Sequence, residues 1–278
     1  MRTDSSSLMV ICSWFAARSQ PIFVPQSRDY DSASTPASRP KMESEPNVYS
    51  RQWFEFFHAG NDEARTIRET EFICRCAPLP NFRKILDVCC GMGRHARALS
   101  NRGYSVTGID RDTDAIAKAR ELAGGPNYIV ADIRDYQPAP ETFDAAIVMG
   151  QSFGHFDVGT NRDILRRLVH GIRKRGRVIL DLWNPEFFKA HQGERALKVS
   201  KGVVRENKRV TDDRLVVWLD YPEAAHEQFD WQLFTPEQME QLATSVGLGL
   251  LVSGTDFDLT TLPSPANPRI QFLMERAT

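Results

Sequence analysis

The chain has 278 residues, 41% of them hydrophobic and 26% charged, with a formal net charge of −1. That is ample apolar chain for one core plus additions, and the balanced charge lacks the basic footprint expected of a duplex nucleic-acid binder. No run of about 18 apolar residues occurs, which excludes a hydropathic membrane span, and the odd set Cys12, Cys74, Cys76, Cys89 and Cys90 does not fit a secreted disulfide framework.

The spacing C-x-C followed by C-C is also wrong for a zinc site, whose ligands are usually two to four residues apart. No metal is expected, and the thiols read as reduced side chains of a cytoplasmic protein. Residues 1–46 are rich in Ser, Pro, Arg and Asp and read as a disordered leader. The apolar run at 8–17 resembles a secretion-signal core, but Asp4 lies in the would-be basic segment before it. Met42 is an alternative start just before the first foldable stretch.

From Asn47 onward the texture changes. Residues 48–58 carry Tyr49, Trp53, Phe54, Phe56 and Phe57, which predicts an amphipathic helix. Asn61 is placed to cap a second helix with Ile67, Phe72 and Ile73 on one side, ended by Pro78 and Pro80. These elements, 47–80, form a helical lid in this reading. Strands are then expected at 84–88, 105–110, 128–132, 143–149 and 177–182. Helices are expected between them at 94–101, 113–122 and 161–172. Strands separated by short helices indicate βαβ units and a parallel sheet with helices on both faces.

After Trp183 the rhythm breaks. Residues 195–220 alternate with period two around Lys201-Gly202 and Asp212-Asp213, so 195–234 reads as a small antiparallel insertion. Its basic residues Lys198, Lys201, Arg205, Lys208, Arg209 and Arg214 suggest an acceptor-side cover or a homodimer surface. A nucleic-acid platform is disfavoured, because stacking aromatics are missing until Trp218. Thr235-Pro236-Glu237-Gln238 starts a helix with an N-cap, a proline at its first position and a capping box. Gly247 ends it, and strands follow at 248–257 and 269–274.

The chemistry is concentrated at Ile85-Leu86-Asp87-Val88-Cys89-Cys90-Gly91-Met92-Gly93-Arg94-His95-Ala96. Glycines between a strand and a helix allow close approach of a ligand, and Gly91-x-Gly93-x-x-Ala96 fits the relaxed dinucleotide fingerprint. Asp87 discriminates between ligands. A dinucleotide puts its diphosphate at this turn, where an acid repels it; the ammonium of S-adenosylmethionine would be attracted. The bland alternative is a carboxylate satisfied by loop amides. Asp110, at the end of the second strand, suits ribose hydroxyls or, alternatively, caps the next helix. Asp132, read as ending the third strand, suits the adenine amine, with the Ile133 main chain on the ring edge. Ligands of open parallel sheets bind beyond such strand ends.

These residues, with Gly103 through Asp110, resemble the class I S-adenosylmethionine-dependent methyltransferases, in texture their small-molecule branch. The resemblance implies a Rossmann-like, doubly wound, seven-stranded and mostly parallel sheet in the order 3-2-1-4-5-7-6, strand seven antiparallel. It implies S-adenosylmethionine as cofactor, held by Asp87, Cys89, Gly91, Gly93, Asp110, Arg111, Asp132, Ile133 and Met149. Cys89 stands where the family often has Gly, and Arg173-Lys174-Arg175-Gly176 replaces its usual Lys-Pro-Gly-Gly.

A small-molecule acceptor is expected beyond strands four and five, with RNA or protein as the variant. Ser152, Trp183 and Asn184 are candidate substrate contacts, with Tyr49 and Trp53 in the lid. His155 is a candidate general base, or else a loop histidine lining the pocket. His95 reads as a structural or rim residue. Competing readings are an NAD(P)-dependent oxidoreductase, which Asp87 opposes, and a non-catalytic adenosine-ligand module.

Overall fold

The computed structural model describes Asn47, Tyr49, Trp53 and residues 63–122, 124–199, 202–222 and 225–278. The expected leader, Asn61 and most of the 48–58 helix lie outside the described residues. No helix among the described residues is long and apolar enough to cross a membrane.

Helix α1 (Glu63–Cys76) precedes an alternation of β1 (Lys84–Val88), α2 (Arg94–Ser100), β2 (Ser105–Asp110), α3 (Thr113–Glu121), β3 (Asn127–Val130), β4 (Phe143–Val148), α4 (Val158–Gly171) and β5 (Ile172–Trp183). After a short α5 (Pro185–Ala190) come β6 (Gly193–Val199), β7 (Gly202–Thr211), β8 (Arg214–Asp220) and β9 (His226–Gln232). Helix α6 (Pro236–Ser245), β10 (Leu248–Gly254) and β11 (Arg269–Arg276) complete the chain.

The large sheet has the order β10-β11-β5-β4-β1-β2-β3. Pairs among β1 to β5 are parallel, while β11 is antiparallel to both β5 and β10. This is the implied 3-2-1-4-5-7-6 order, with the antiparallel strand in its expected place. Parallel strands covered on both faces need near-continuous apolar sequence, and β1 is buried from Ile85 through Val88. One core cluster, including Leu86, Val148, Leu165, Phe234 and Met239, fills one face; the other, including Phe72, Ile85, Leu99, Ile116 and Ile147, fills the opposite face.

Capping side chains set where several helices begin. Asp112 accepts the Asp114 and Ala115 amides at α3, and Asp157 accepts the Thr160 amide at α4. At α6 the Thr235–Gln238 capping box has both of its bonds. Because Asp157 is the cap, α4 begins at Val158, before the expected 161. β5 begins at Ile172 rather than Arg177, running through the basic segment with a register shift against β4.

The insertion is a separate four-stranded antiparallel sheet, β6-β7-β8-β9, one strand richer than its periodicity suggested. Its inner face packs Leu197, Val204, Leu215, Leu219, Phe229 and Trp231 against Trp183, Phe187 and Phe188. In α1, Phe72 and Ile73 are buried as expected, but Ile67 faces outward and is 42% exposed.

Candidate cofactor and acceptor site

The chain leaves β1 through three left-handed residues, Cys89 (φ 56°), Gly91 (φ 53°) and Gly93 (φ 73°). The two glycines serve different ends. A methyl on Gly91 would meet nothing within 4 Å, so the turn presents bare backbone to open space. A methyl on Gly93 would lie 2.2 Å from the Tyr128 hydroxyl, so that glycine is required by internal packing against β3.

Asp87 sits one residue before the end of β1 and is only 1% exposed. The Ala96 amide reaches its carboxylate, but Oδ2 is buried without a hydrogen-bond partner. Burial pushes its pKa up to about 7; Arg94 opposes that, and the neighbouring Asp110 adds to it. A buried carboxylate oxygen with no donor is costly. A cationic donor entering the turn would relieve both the desolvation and the missing bond, so the site fits an ammonium.

Asp110 organises the turn as well as facing it. Its Oδ2 accepts the Gly91 amide at 2.8 Å and its Oδ1 the Asp112 amide at 2.9 Å. Ionised carboxylates keep further lone pairs for ribose hydroxyls. Arg111 donates Nη2 to the Asn47 carbonyl at 3.0 Å.

Asp132 corrects the expected pattern. β3 ends at Val130, so only the first two acids share the strand-end position. Asp132 lies in the following loop, where Arg134 binds it through Nε at 3.0 Å and Nη2 at 2.7 Å, holding its pKa below the usual carboxylate value. Ile133 is half-buried against the core.

On the other side of the sheet's centre, β4 runs through buried Met149 into Gly150 (φ 70°) and Gln151 (φ 62°). A methyl on Gly150 would again meet nothing, giving a second bare turn. Ser152 turns inward, donating Oγ to the Met149 carbonyl at 3.1 Å. The loop then docks on the small sheet: the Gln232 amide donates to the Gly154 carbonyl at 2.7 Å, and Trp231 Nε1 to the Gln151 carbonyl at 3.1 Å.

His155 lies in a cluster of rings, 5.3 Å from Trp231 and 6.2 Å from Tyr49 between centroids. Tyr49 is 4.7 Å from Trp53 and 4.8 Å from Phe229, and Trp183 is 6.1 Å from Trp231. His155, Tyr49, Trp53 and Trp183 are thus brought together. Burial, with Arg111 and Arg214 nearby, lowers the His155 pKa to about 4, so the ring is neutral at pH 7; its Nδ1 is buried without a partner. Burial raises the Tyr49 pKa, Cys89 and Glu227 add to the rise and Arg111 opposes it, so this ring lies near both the first glycine turn and the small sheet.

Asn184 is not available to a substrate. Its Oδ1 accepts the Glu186 amide as the cap of α5, and its Nδ2 donates to the Ser264 and Asn267 carbonyls at 2.8 and 2.7 Å. Both Nδ2 hydrogens and one Oδ1 lone pair are used by the fold. His95 is structural, its Nε2 2.7 Å from Glu69 Oε2 in the interior.

Two features escaped the sequence reading. Asn47 ties the loop after β4 to β9: its Nδ2 donates to the His155 and Asp230 carbonyls, and its Oδ1 accepts the Asp230 amide at 2.7 Å. A buried charge cluster, Glu69, Asp181 and Arg269, spans α1, β5 and β11. Its signal was present in the sequence as polar Arg269 and Gln271 flanking Ile270 at the head of the apolar run Phe272-Leu273-Met274.

Residues 85–176 match the family described as "Methyltransferase domain". The chain is 25% identical over 143 residues to glycine N-methyltransferase of Oryctolagus cuniculus, covering 45% of this chain and 48% of that protein. It is 29% identical over 186 residues to dTDP-3-amino-3,6-dideoxy-alpha-D-glucopyranose N,N-dimethyltransferase of Streptomyces fradiae, covering 62% and 72%. In fold it is similar to a SAM-bound amino pentose methyltransferase from Micromonospora echinaspora. There the TM-score is 0.62 at 17% identity, over 84% of this chain and 100% of that one. The match to the rabbit enzyme spans about half of that protein's length.

Proposed function

We propose that this chain is a class I S-adenosylmethionine-dependent methyltransferase and that it transfers the methyl group to a small-molecule acceptor on the side of the site bordered by the loop after β4 and the ring cluster around His155. The observation that carries this reading is Asp87: a buried carboxylate with an unpartnered oxygen, beside a turn with bare backbone at Gly91. That combination suits a cationic amino-acid tail and opposes the diphosphate of NAD.

When bound, the cofactor supplies an electrophilic methyl on a sulfonium. Asp87 holds the ammonium, Asp110 accepts from the ribose, and Asp132 with the Ile133 main chain borders the adenine. The protein's main contribution to such a displacement is orientation, which is worth roughly 7–11 kcal/mol in well-aligned systems. Tyr49, Trp53 and Trp183 wall off water on the acceptor side. With a pKa of about 4, His155 is a weak proton acceptor, so its role is to orient the nucleophile through the free Nδ1. The relatives named for glycine and for a dTDP-amino sugar support a small acceptor.

Calorimetry with S-adenosylhomocysteine and NAD tests the cofactor, and a metabolite extract incubated with methyl-labelled S-adenosylmethionine tests the acceptor. The expected result is saturable binding of S-adenosylhomocysteine, negligible binding of NAD, and label in a low-mass compound. Tighter binding of NAD would sink the cofactor assignment; label confined to RNA or protein would sink the acceptor class.

A further inference from the structure

The loop after β4 holds two successive left-handed residues, and the second, Gln151, is not glycine. Such a conformation persists only where surrounding bonds impose it. Here the bonds come from Asp181, which is fully buried on β5. Its Oδ2 accepts the Gly150 amide at 2.9 Å and Gln151 Nε2 at 2.8 Å, and its main-chain carbonyl accepts the Gln151 amide at 3.0 Å.

Asp181 is itself fixed from β11. Arg269 donates Nε to Oδ1 at 2.9 Å and Nη2 to Oδ2, while Gln271 Nε2 donates to Oδ1 at 2.7 Å. The third guanidinium nitrogen points the other way: Nη1 reaches Glu69 Oε1 at 3.1 Å. Glu69 in turn receives Arg65 Nε at 2.8 Å, His95 Nε2 at 2.7 Å and Arg94 Nη2. Arg94 and His95 open α2, directly after the first glycine turn. One unbroken chain of buried polar contacts therefore joins the turn beside Asp87 to the turn at Gly150. Packing alone does not call for it, since apolar residues of similar volume can replace a buried ion pair without loss of stability.

We infer that Arg269 is a positioning residue, which sets the Gly150–Gln151 turn through Asp181 and locks it to the cofactor turn through Glu69. The inference rests on the reading above, in which these two turns flank the transferred methyl group. Its fork is the essential property. Only a planar guanidinium grips one carboxylate with two nitrogens and a second carboxylate with the third.

Arg269→Lys keeps the buried charge but loses the fork, and Glu69→Gln cuts the chain at its far end while leaving the Arg269–Asp181 pair in place. Each is compared with wild type by thermal unfolding, by the Gly150 amide resonance, and by the carbon resonance of bound S-[methyl-13C]adenosylmethionine. In folded Arg269→Lys, both resonances are expected to move and affinity for the cofactor to fall about two- to thirtyfold. Glu69→Gln should move both signals in the same direction by a smaller amount. If Lys restores both resonances to their wild-type positions, Arg269 only balances charge and the inference is overturned. Should Arg269→Lys fail to fold, an unmoved Gly150 amide in Glu69→Gln overturns it equally. Wild-type protein that binds no cofactor would sink the earlier functional reading, whereas the Gly150 amide would still report whether Arg269 sets that turn.

Discussion

Around the first glycine turn, the groups we assign to the cofactor are carboxylates and bare backbone: Asp87, Asp110, Gly91. On the proposed acceptor side, under the small sheet, the neighbouring groups are rings: Tyr49, Trp53, Phe229, Trp231 and the uncharged His155. The polar half carries unspent bonding capacity at Asp87 Oδ2. The aromatic half is packed ring on ring, with Phe229 and Trp231 stacked at 24° and 5.7 Å. A charged, invariant ligand part needs fixed acceptors, while a variable acceptor molecule is held by shape and exclusion of water. The two halves should therefore respond differently to substitution.

The largest expected effect is on the aromatic side. Trp231 is 4% exposed and touches Trp183, His155 and Phe229. Trp231→Ala is expected to cost about 3–5 kcal/mol of stability, as for large core truncations, while the folded fraction still binds S-adenosylhomocysteine. Denaturant titration and calorimetry measure the two. A loss of cofactor affinity as severe as the loss of stability would show that the halves are not separable.

On the polar side the effect is smaller and of opposite kind. Asp87→Asn keeps the shape and the Ala96 contact but removes the charge. Cofactor affinity should fall about 10- to 100-fold, the value of one charge-assisted bond of about 1.5–3 kcal/mol. Because the folded pKa of Asp87 is raised to about 7, its ionisation opposes folding. Its contribution to stability is full below the unfolded value of about 3.9 and is lost as pH rises through about 7. Cofactor binding runs the other way, strengthening over that upper range as the carboxylate ionises. Asp87→Asn should abolish both trends and be the more stable protein at pH 8 without cofactor. A wild-type binding curve flat between pH 6 and 8 would contradict the assigned partner of Asp87.

The same contrast decides what could be read from the sequence. The strand–glycine–helix spacing fixes Asp87, Gly91 and Asp110 in one local segment, and local geometry is what periodicity and turn residues report. Asp132 misled because Tyr128-Ile129-Val130-Ala131 runs apolar with no stop signal, although the strand ends at Val130. Asn184-Pro185 carries a helix-start signal, a cap before a proline at the first position, and the cap's Oδ1 is spent on the Glu186 amide. β9 was missed because Glu227 occupies an inward position, hiding the alternation that Phe229 and Trp231 continue. The Glu69–Arg269–Asp181 chain joins residues up to 200 positions apart, and no window of sequence contains it.

The smallest effect tests whether the first turn acts through its backbone alone. Cys89 holds φ 56° with a side chain, at a cost of about 1–2 kcal/mol relative to ordinary backbone. Cys89→Gly removes that strain but gives the unfolded chain more freedom, which returns about 0.4–1 kcal/mol. The entropy offsets part of the relief, so stability should stay the same or rise by up to about 1.6 kcal/mol, with S-adenosylhomocysteine affinity unchanged. Paired denaturant melts and calorimetry give both numbers. A clear drop in affinity would mean that the half-buried sulfur itself contacts the ligand, and the polar half would then include a side chain that the backbone account leaves out.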